Sequence, residues 1–271
     1  HKKSSWVVCL DPSVDERLIG LGDSDRWKRE VIGFASGVGS HGELNYTVST
    51  ERASLADIEK EIQNQVDRLF GPWESEDLEK AAHLLVSKSR ELSGLSLVRA
   101  MGPSEYVRDL IAYTLTRMCL PKIPSPSLCL CDELISLDTF SHWFDSATNQ
   151  ERPDLMRLMA FLFDDKVEVY AQLIECKLAK YGAAYLEKAH VQLENGLRHL
   201  ITIFRPRQEK GIGRFDRRFW WTQLERLIAN KSRIQPKVLT QVTSALEMLG
   251  DGYFTIHWQA MAVTYWIDKT G

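Results

Sequence analysis

Residues 154–177 read DLMRLMAFLFDDKVEVYAQLIECK, and this stretch decides the fold. Apolar, β-branched and aromatic residues alternate with polar residues in some parts of this stretch and form continuous runs in others. Only the polar tripeptide Asp164-Asp165-Lys166 breaks the pattern. Such a pattern predicts two antiparallel strands joined by a tight turn. Asp tolerates left-handed backbone angles, so an Asp-Asp pair suits the turn, although it is a weaker turn signal than Asn-Gly.

The predicted turn fixes the register of the two strands by counting, and Asp154 then lies opposite Glu175. Directly opposed residues share a face of the hairpin and sit close together. Lys177 shares that face with Glu175 because side chains alternate with a period of two along a strand. The sequence therefore predicts two carboxylates and one ammonium group at the open end of an apolar hairpin.

Two carboxylates on adjacent strand ends are typical of a site for a hard divalent cation. Mg²⁺ prefers oxygen ligands and is usually held by one or two carboxylates together with substrate phosphates, and Mn²⁺ accepts the same ligands. A metal at Asp154 and Glu175 would stabilise charge on a phosphodiester and lower the pKa of a bound water. Lys177 would orient that water or neutralise charge that develops on the phosphate.

With this geometry the chain resembles the PD-(D/E)XK nuclease superfamily. Pro153-Asp154 matches the first element of its motif, and Glu175-Cys176-Lys177 matches its E-x-K element. The order of elements is also similar: a helix containing Glu105, the strand LCLCDELISL, the hairpin, and the helix YLEKAHVQLENGLRHL. The resemblance implies an α/β fold with a restriction-endonuclease-like core, in which helices flank a mixed sheet with a central antiparallel hairpin.

The resemblance adds two site residues, and each has a simpler explanation. Glu105 would be a third metal ligand, but a glutamate in the first turn of a helix is favoured by the helix dipole alone. Gln192 would approach the scissile phosphate, but it could equally be a surface glutamine. An E-x-K on a strand also arises by chance. Other acids remain as alternatives to the proposed ligands: Asp132, Glu133, Asp138, Asp164 and Asp165.

Four further segments lie in the second half of the chain: LISLDTFSHWF, RPDLMRLMAF, QLIECKLA and YLEKAHVQLENGL. These segments resemble the nuclease-like region of bacterial DNA-defence proteins, such as those of phosphorothioation-dependent restriction. The resemblance implies DNA as substrate and a HerA/FtsK-type ATPase as partner, in the same full-length chain. The expected function is metal-dependent DNA cleavage. The alternative is an inactive nuclease fold that docks DNA or assembles with the ATPase.

One segment, RPRQEKGIGRFDRRFWW, concentrates basic residues. Cations bind phosphates without reading sequence, while aromatics stack on bases or anchor a helix. Because FWWTQLERLI is amphipathic, we predict that the aromatics of this segment are core. The predicted DNA-binding residues are Arg205, Arg207, Lys210, Arg214, Arg217 and Arg218.

The composition bounds these expectations. With 271 residues, 44% of them hydrophobic, the chain can bury one large core or two modest ones. A net charge of −3 excludes a wholly basic surface, so DNA contact must be local. Five cysteines without zinc-site spacing indicate a reduced, cytoplasmic protein. No signal peptide or membrane span is predicted, and the oligomeric state stays open.

The start of the chain predicts a separate region. His1 opens the chain in place of Met, which suggests a segment of a longer protein. We predict an N-terminal α/β region over residues 1–98, with strands followed by two helices, and the nuclease-like domain over residues 99–271.

The glycines near residue 39 are predicted to connect two strands and not to form a phosphate-binding loop, since no Gly-Lys-Ser/Thr follows. Near the end, GDGYFTIHWQAMAVTYWID predicts a strand pair or one long strand.

Overall fold

The computed structural model describes residues 30–39, 42–50, 52–71, 73–89, 92, 104–121, 127–138, 140, 143–144, 151–209, 215–232 and 236–267. The first part of the predicted N-terminal region, residues 1–29, lies outside them. The elements in order are β1 (Glu30–Gly39), β2 (Gly42–Thr50), α1 (Arg52–Phe70), α2 (Ser75–Ser89), α3 (Ser104–Cys119), β3 (Leu128–Ser136), β4 (Leu155–Phe163), β5 (Lys166–Ala179), α4 (Ala183–Ile203), α5 (Arg217–Lys231), α6 (Leu239–Gly250) and β6 (Phe254–Trp266).

The strands form two sheets, and the predicted α/β class is confirmed. β1 and β2 form a two-stranded antiparallel sheet. The second sheet has the order β3-β4-β5-β6, in which β3, β4 and β5 are antiparallel and β6 runs parallel to β5. The stretch near the C-terminus is therefore one long strand, the second of the two predicted options. No helix within the described ranges is both long and apolar enough to cross a membrane.

The hairpin of β4 and β5 has the predicted turn and register. Asp164 and Asp165 both adopt left-handed backbone angles, with φ of 43° and 65°. Positive φ at both central positions is the requirement of a type I′ turn, whose twist matches that of the flanking strands. Pairing runs from Phe163 opposite Lys166 to Leu155 opposite Ile174. The next step outward brings residue 154 opposite residue 175, as predicted.

Alternation along the hairpin gives the four-stranded sheet two apolar faces. One face, which includes Met156 and Leu158, packs against α4, α5 and α6. The other, which includes Leu155 and Ile174, packs against α1, α2 and α3. Residues on both sides of position 98 therefore share the second core cluster. The boundary between residues 98 and 99 stays a prediction.

A glycine lets α4 approach the start of the hairpin closely. A Cβ atom at Gly196 would lie 2.5 Å from Cδ and Cγ of Pro153 and 3.3 Å from Cδ1 of Leu173. The proline ring is fixed to the backbone, so it cannot move aside cheaply. Because Gly196 has no side chain, α4 can lie directly over the residues that precede Asp154.

Candidate functional site

The two predicted carboxylates meet at the open end of the hairpin. The backbone N–H of Asp154 donates to Oε2 of Glu175 over 3.1 Å, and the backbone N–H of Cys176 donates to Oδ2 of Asp154 over 3.0 Å. Each carboxylate thus accepts a backbone N–H from the opposing strand. The hydrogen bonds lie where the strand pairing ends, so side chains satisfy the next two backbone donors.

Lys177 and Gln192 complete the cluster. The ammonium of Lys177 bonds to Oε1 of Glu175 and donates to Oε1 of Gln192 over 3.3 Å. Gln192 lies on α4, is buried, and donates its Nε2 to the carbonyl of Arg152 over 2.9 Å. The structure therefore brings four predicted site residues together. The alternative that Gln192 is only a surface glutamine is wrong.

Burial contributes to a shifted pKa for each of the three charged groups of the cluster, Asp154, Glu175 and Lys177. The side chain of Glu175 has no exposed surface, and that of Lys177 is 18% exposed. Burial, and then the charge of Asp154, raises the pKa of Glu175 to about 7, although Lys177 opposes this. Burial also raises the pKa of Asp154. Burial lowers the pKa of Lys177, but the bond and charge of Glu175 and the charge of Asp154 outweigh it, so this pKa is raised.

A pocket of about 410 Å³ opens beside the cluster. Asp154 and Lys177 line it, whereas Glu175 lies behind them. Residues 108, 109 and 113 of α3 form one wall, and Tyr185 in the first turn of α4 forms another. A cavity of this size accommodates a small ligand or about one to two nucleotides.

Asp138, one of the alternative acids, lies beside the carboxylate cluster. The backbone N–H of Leu137 donates to the carbonyl of Asp154 over 2.9 Å, which brings the end of β3 beside the cluster. Asp138 lines the pocket and forms an ion pair with Arg152. The sequence gives no signal for this position, because it depends on which strand pairs with β3.

Tyr113 is a second pocket residue that the sequence did not single out. It lies on α3, is 8% exposed and lines the pocket. Burial, and then the charges of Asp154 and Asp109, raises the pKa of its hydroxyl well above the ordinary value. An aromatic residue on the apolar stripe of a helix normally indicates core, so no sequence feature marked it.

Asp132, another of the alternative acids, belongs to a different cluster. Its carboxylate accepts bonds of 2.8 and 2.7 Å from Nε and Nη2 of Arg157 and of 3.2 Å from Nη1 of Arg117. Burial raises the pKa of Asp132, but the bond from Arg157 and the charge of Arg117 outweigh it, and the pKa is lowered. Two arginines therefore hold this carboxylate, which joins α3 to β3 and β4.

The third predicted metal ligand is not located by the structure. Glu105 lies in α3, one helical turn before Asp109, but its side chain is outside the described residues. Within the described part of the chain, no group of three or more His, Cys, Asp or Glu side chains is placed to hold a metal ion. Of the three predicted ligands, the structure brings together the carboxylates of Asp154 and Glu175.

The described residues of the basic segment lie at the opposite end of the sheet. The backbone N–H of Arg207 donates to the carbonyl of Gly252, and Phe254 pairs with Val167, eight residues before Glu175 on β5. At the rise of a strand, eight residues span about 26 Å. Among the described residues, the structure therefore does not bring Arg205, Arg207, Arg217 or Arg218 to the carboxylates. Lys210 and Arg214 lie outside the described residues.

The described arginines of this segment contact neighbouring loops. Arg207 donates to the hydroxyl of Tyr253 over 3.1 Å, and Arg218 lies 3.3 Å from a carboxylate oxygen of Asp251. Arg205 is half-buried, and Arg217 is the first residue of α5. Their role in DNA binding stays a prediction.

The prediction that the aromatics of the basic segment are core is only half right. Trp220 and Trp221 are buried, but Phe215 and Phe219 are exposed. The difference follows from helix geometry, since Phe219 in α5 and Phe215 just before it lie off the face that packs on the sheet.

Comparisons with known proteins do not assign the chain to a family. No protein-family model, no curated protein and no solved structure matches it. The geometry of the carboxylate cluster and its pocket therefore carries the functional argument.

The raised pKa of Glu175 predicts a pH-dependent stability. The folded protein binds a proton here up to about pH 7, whereas a glutamate in the unfolded chain releases it near 4.5. Stability is therefore lost as the pH rises through this window, by up to about 3 kcal/mol. We expect Glu175→Gln to gain stability relative to the wild type between pH 4.5 and 8, measured by urea denaturation with EDTA present.

The matched control for this experiment is Glu79→Gln, which changes an exposed glutamate on α2. Its stability difference from the wild type should stay flat over the same pH range. A flat difference for Glu175→Gln as well would show that Glu175 does not titrate in this window.

Proposed function

We propose that the chain is a Mg²⁺- or Mn²⁺-dependent DNA endonuclease with a restriction-endonuclease-like core. The observation that supports this most is the reciprocal arrangement of Asp154 and Glu175, with Lys177 beside them at the mouth of a pocket. The sheet with its central hairpin, flanked by α3 and α4, is consistent with such a core. We infer that the protein acts in the cytoplasm in DNA defence.

The residues of the cluster fit a divalent cation. Asp154 and Glu175 provide hard oxygen ligands, and Mg²⁺ often uses only two carboxylates, with water and phosphate oxygens for the rest. The charge of Asp154 disfavours ionisation of Glu175, so a cation between the two carboxylates would favour the charged form of Glu175. Glu105 remains the proposed third ligand. When bound, the metal would stabilise charge on the phosphate and acidify a water.

Lys177 is the proposed catalytic residue of the chain. Its ammonium contacts Glu175, yet its side chain also lines the pocket, so it can turn towards a phosphate oxygen or the attacking water. Gln192 receives a bond from this ammonium and is itself fixed to the carbonyl of Arg152. The contacts support a role for Gln192 in positioning Lys177, in place of direct contact with the scissile phosphate.

The separation between the cluster and the basic segment limits how DNA can bind. A span of about 26 Å corresponds to about eight base pairs at 3.4 Å per base pair. DNA that contacts both would lie along the sheet, with Arg205, Arg207, Arg217 and Arg218 holding phosphates far from the cut. A HerA/FtsK-type ATPase, in the same full-length chain, would move or open that DNA.

Substitution of Lys177 tests this function. We expect Lys177→Met to lower Mg²⁺- or Mn²⁺-dependent nicking of plasmid DNA at least about a hundredfold, because the transition-state charge loses its cationic partner. Lys166→Met, which changes an exposed lysine at the hairpin turn, should cleave like the wild type. Nicking that is equal in both variants would show that the activity does not come from this site.

The second candidate function is an inactive nuclease fold that docks DNA. The buried ion pair of Glu175 and Lys177 favours it, because the carboxylate already has a cationic partner. This candidate predicts no metal-dependent cleavage. It also predicts DNA binding that persists in Lys177→Met and is lost when Arg217 and Arg218 are changed to Glu.

A further inference from the structure

Three aromatic side chains lie near the pocket, two of them exposed and one half-buried. Tyr181 is 68% exposed and Tyr185 is 44% exposed. The ring of Tyr181 meets that of Trp266 edge-on, with centroids 5.1 Å apart and an angle of 66° between the planes. Tyr185 itself lines the pocket. We call Tyr181, Tyr185 and Trp266 the aromatic rim.

Strand register places the aromatic rim next to the catalytic lysine. Ala179 pairs with Trp266, and Lys177 pairs with Thr264, so Trp266 lies on the same sheet face as Lys177. The backbone N–H of Ile267 donates to the carbonyl of Ala179 over 2.9 Å and fixes this end of β6. Trp266 lies two residues beyond Thr264, the partner of Lys177, and two residues span about 7 Å along a strand. The ring of Trp266 is therefore within reach of a base next to a scissile phosphate at Lys177.

Positively charged side chains flank the aromatic rim. Nη2 of Arg108 donates to the carbonyl of Leu178 over 3.1 Å, which fixes its guanidinium at the wall of the pocket. Lys180 is exposed and directly precedes Tyr181. Lys188 is exposed and lies three residues after Tyr185 on α4, on the same side of the helix. Rings beside cations form the combination that binds single strands: stacking for the bases and charge for the phosphates.

The shape of the site favours an unpaired strand over a duplex. The bases of a duplex stack on each other, so a tyrosine ring can stack only on a base that is splayed out or unpaired. The pocket of about 410 Å³ holds about one to two nucleotides and lies between α3 and α4. Asp154 and Lys177 line this pocket, so the strand to be cut must enter it.

We propose that the aromatic rim stacks unpaired DNA bases beside the scissile phosphate, so that the site acts on single-stranded segments or strand ends. The proposal rests on the proposed nuclease function. It extends that function by naming the substrate class and three specificity-determining residues. Stacking contributes to affinity without reading sequence, so we expect binding to be sequence-tolerant.

The test compares the affinity of the complete chain for a short fluorescein-labelled single strand and for the same strand in a blunt duplex. Fluorescence anisotropy is measured in the presence of Ca²⁺, which suppresses cleavage. We expect the double substitution Tyr181→Ala/Tyr185→Ala to raise the Kd for the single strand at least about fivefold and to leave duplex binding unchanged. Tyr181→Phe/Tyr185→Phe keeps both rings and should bind like the wild type.

Phe163→Ala is the control for loss of an exposed ring, since Phe163 is 51% exposed at the hairpin turn, far from the pocket. The proposal is overturned if the wild type does not bind the single strand, or if the alanine variant binds it as tightly. An equal loss for the duplex also overturns it. Cleavage is scored separately with Mg²⁺. Tyrosine-dependent strand binding without cleavage supports base stacking by the aromatic rim and removes the nuclease function, whereas cleavage without tyrosine dependence keeps the nuclease function and overturns this proposal.

Discussion

Asp154→Asn should lower Mg²⁺-dependent DNA cleavage at least about a hundredfold and leave the fold intact. Asparagine retains an oxygen that can accept the backbone N–H of Cys176, so the end of the hairpin keeps its hydrogen bond. It loses the negative charge that a divalent cation requires of this ligand. The measurement is nicking of supercoiled plasmid at saturating Mg²⁺, with the circular dichroism spectrum and urea midpoint of the variant recorded beside it.

Asp164→Asn is the matched control for this substitution. Asp164 lies in the exposed hairpin turn with a φ of 43°, and asparagine adopts left-handed angles as readily. The two variants make the same chemical change at opposite ends of β4. If both cleave like the wild type, the carboxylate of Asp154 has no part in the reaction.

The largest effect on stability should come from Asp132→Ala, which we expect to cost about 3–5 kcal/mol. The side chain of Arg157 is only 2% exposed, and both of its bonds described here go to the carboxylate of Asp132. Removal of that carboxylate leaves a buried guanidinium without its counter-charge. The free energy of unfolding from urea denaturation at neutral pH measures the loss.

A double substitution separates the loss of this ion pair from simple loss of packing. Asp132→Ala/Arg157→Met removes the buried charge together with its partner, so it should recover much of the stability. A double variant as unstable as Asp132→Ala would mean that the carboxylate acts through Arg117 or through packing instead.

Local rules were sufficient to predict the hairpin. The alternation along residues 154–177 and the Asp-Asp turn together fix a register, and a register determines which side chains face each other. The meeting of Asp154 and Glu175, with Lys177 alongside, follows from these features and is what the structure has. The element order from α3 to α4 could also be predicted, because each element carries its own periodicity.

Contacts between elements distant in sequence could not be predicted in the same way. Asp138 reaches the pocket because β3 pairs with β4, and Tyr113 reaches it because α3 packs over the end of the sheet. The far position of Arg207 follows from the parallel pairing of β6 with β5. None of these contacts has a sequence signal of its own, because each depends on how elements far apart in the chain pack together.

The role of Asp132 also could not be predicted from the sequence, because it depends on tertiary contacts. Its place on β3 made it an alternative acid for a metal site, and sequence alone cannot tell a ligand from a structural carboxylate. Arg117 and Arg157, 15 and 25 residues away in the chain, decide the matter through contacts that only the tertiary structure creates. Buried ion pairs therefore have to be found before acids are ranked as ligands.

Binding of Mn²⁺ followed by electron paramagnetic resonance tests the central claim most directly, since it detects the cation at the carboxylates without the need for a DNA substrate. We predict one bound Mn²⁺ in the wild-type chain and in Asp164→Asn, and a large loss of affinity in Asp154→Asn and in Glu175→Gln. Equal Mn²⁺ binding in all four proteins, or none in the wild type, would contradict a metal site formed by Asp154 and Glu175.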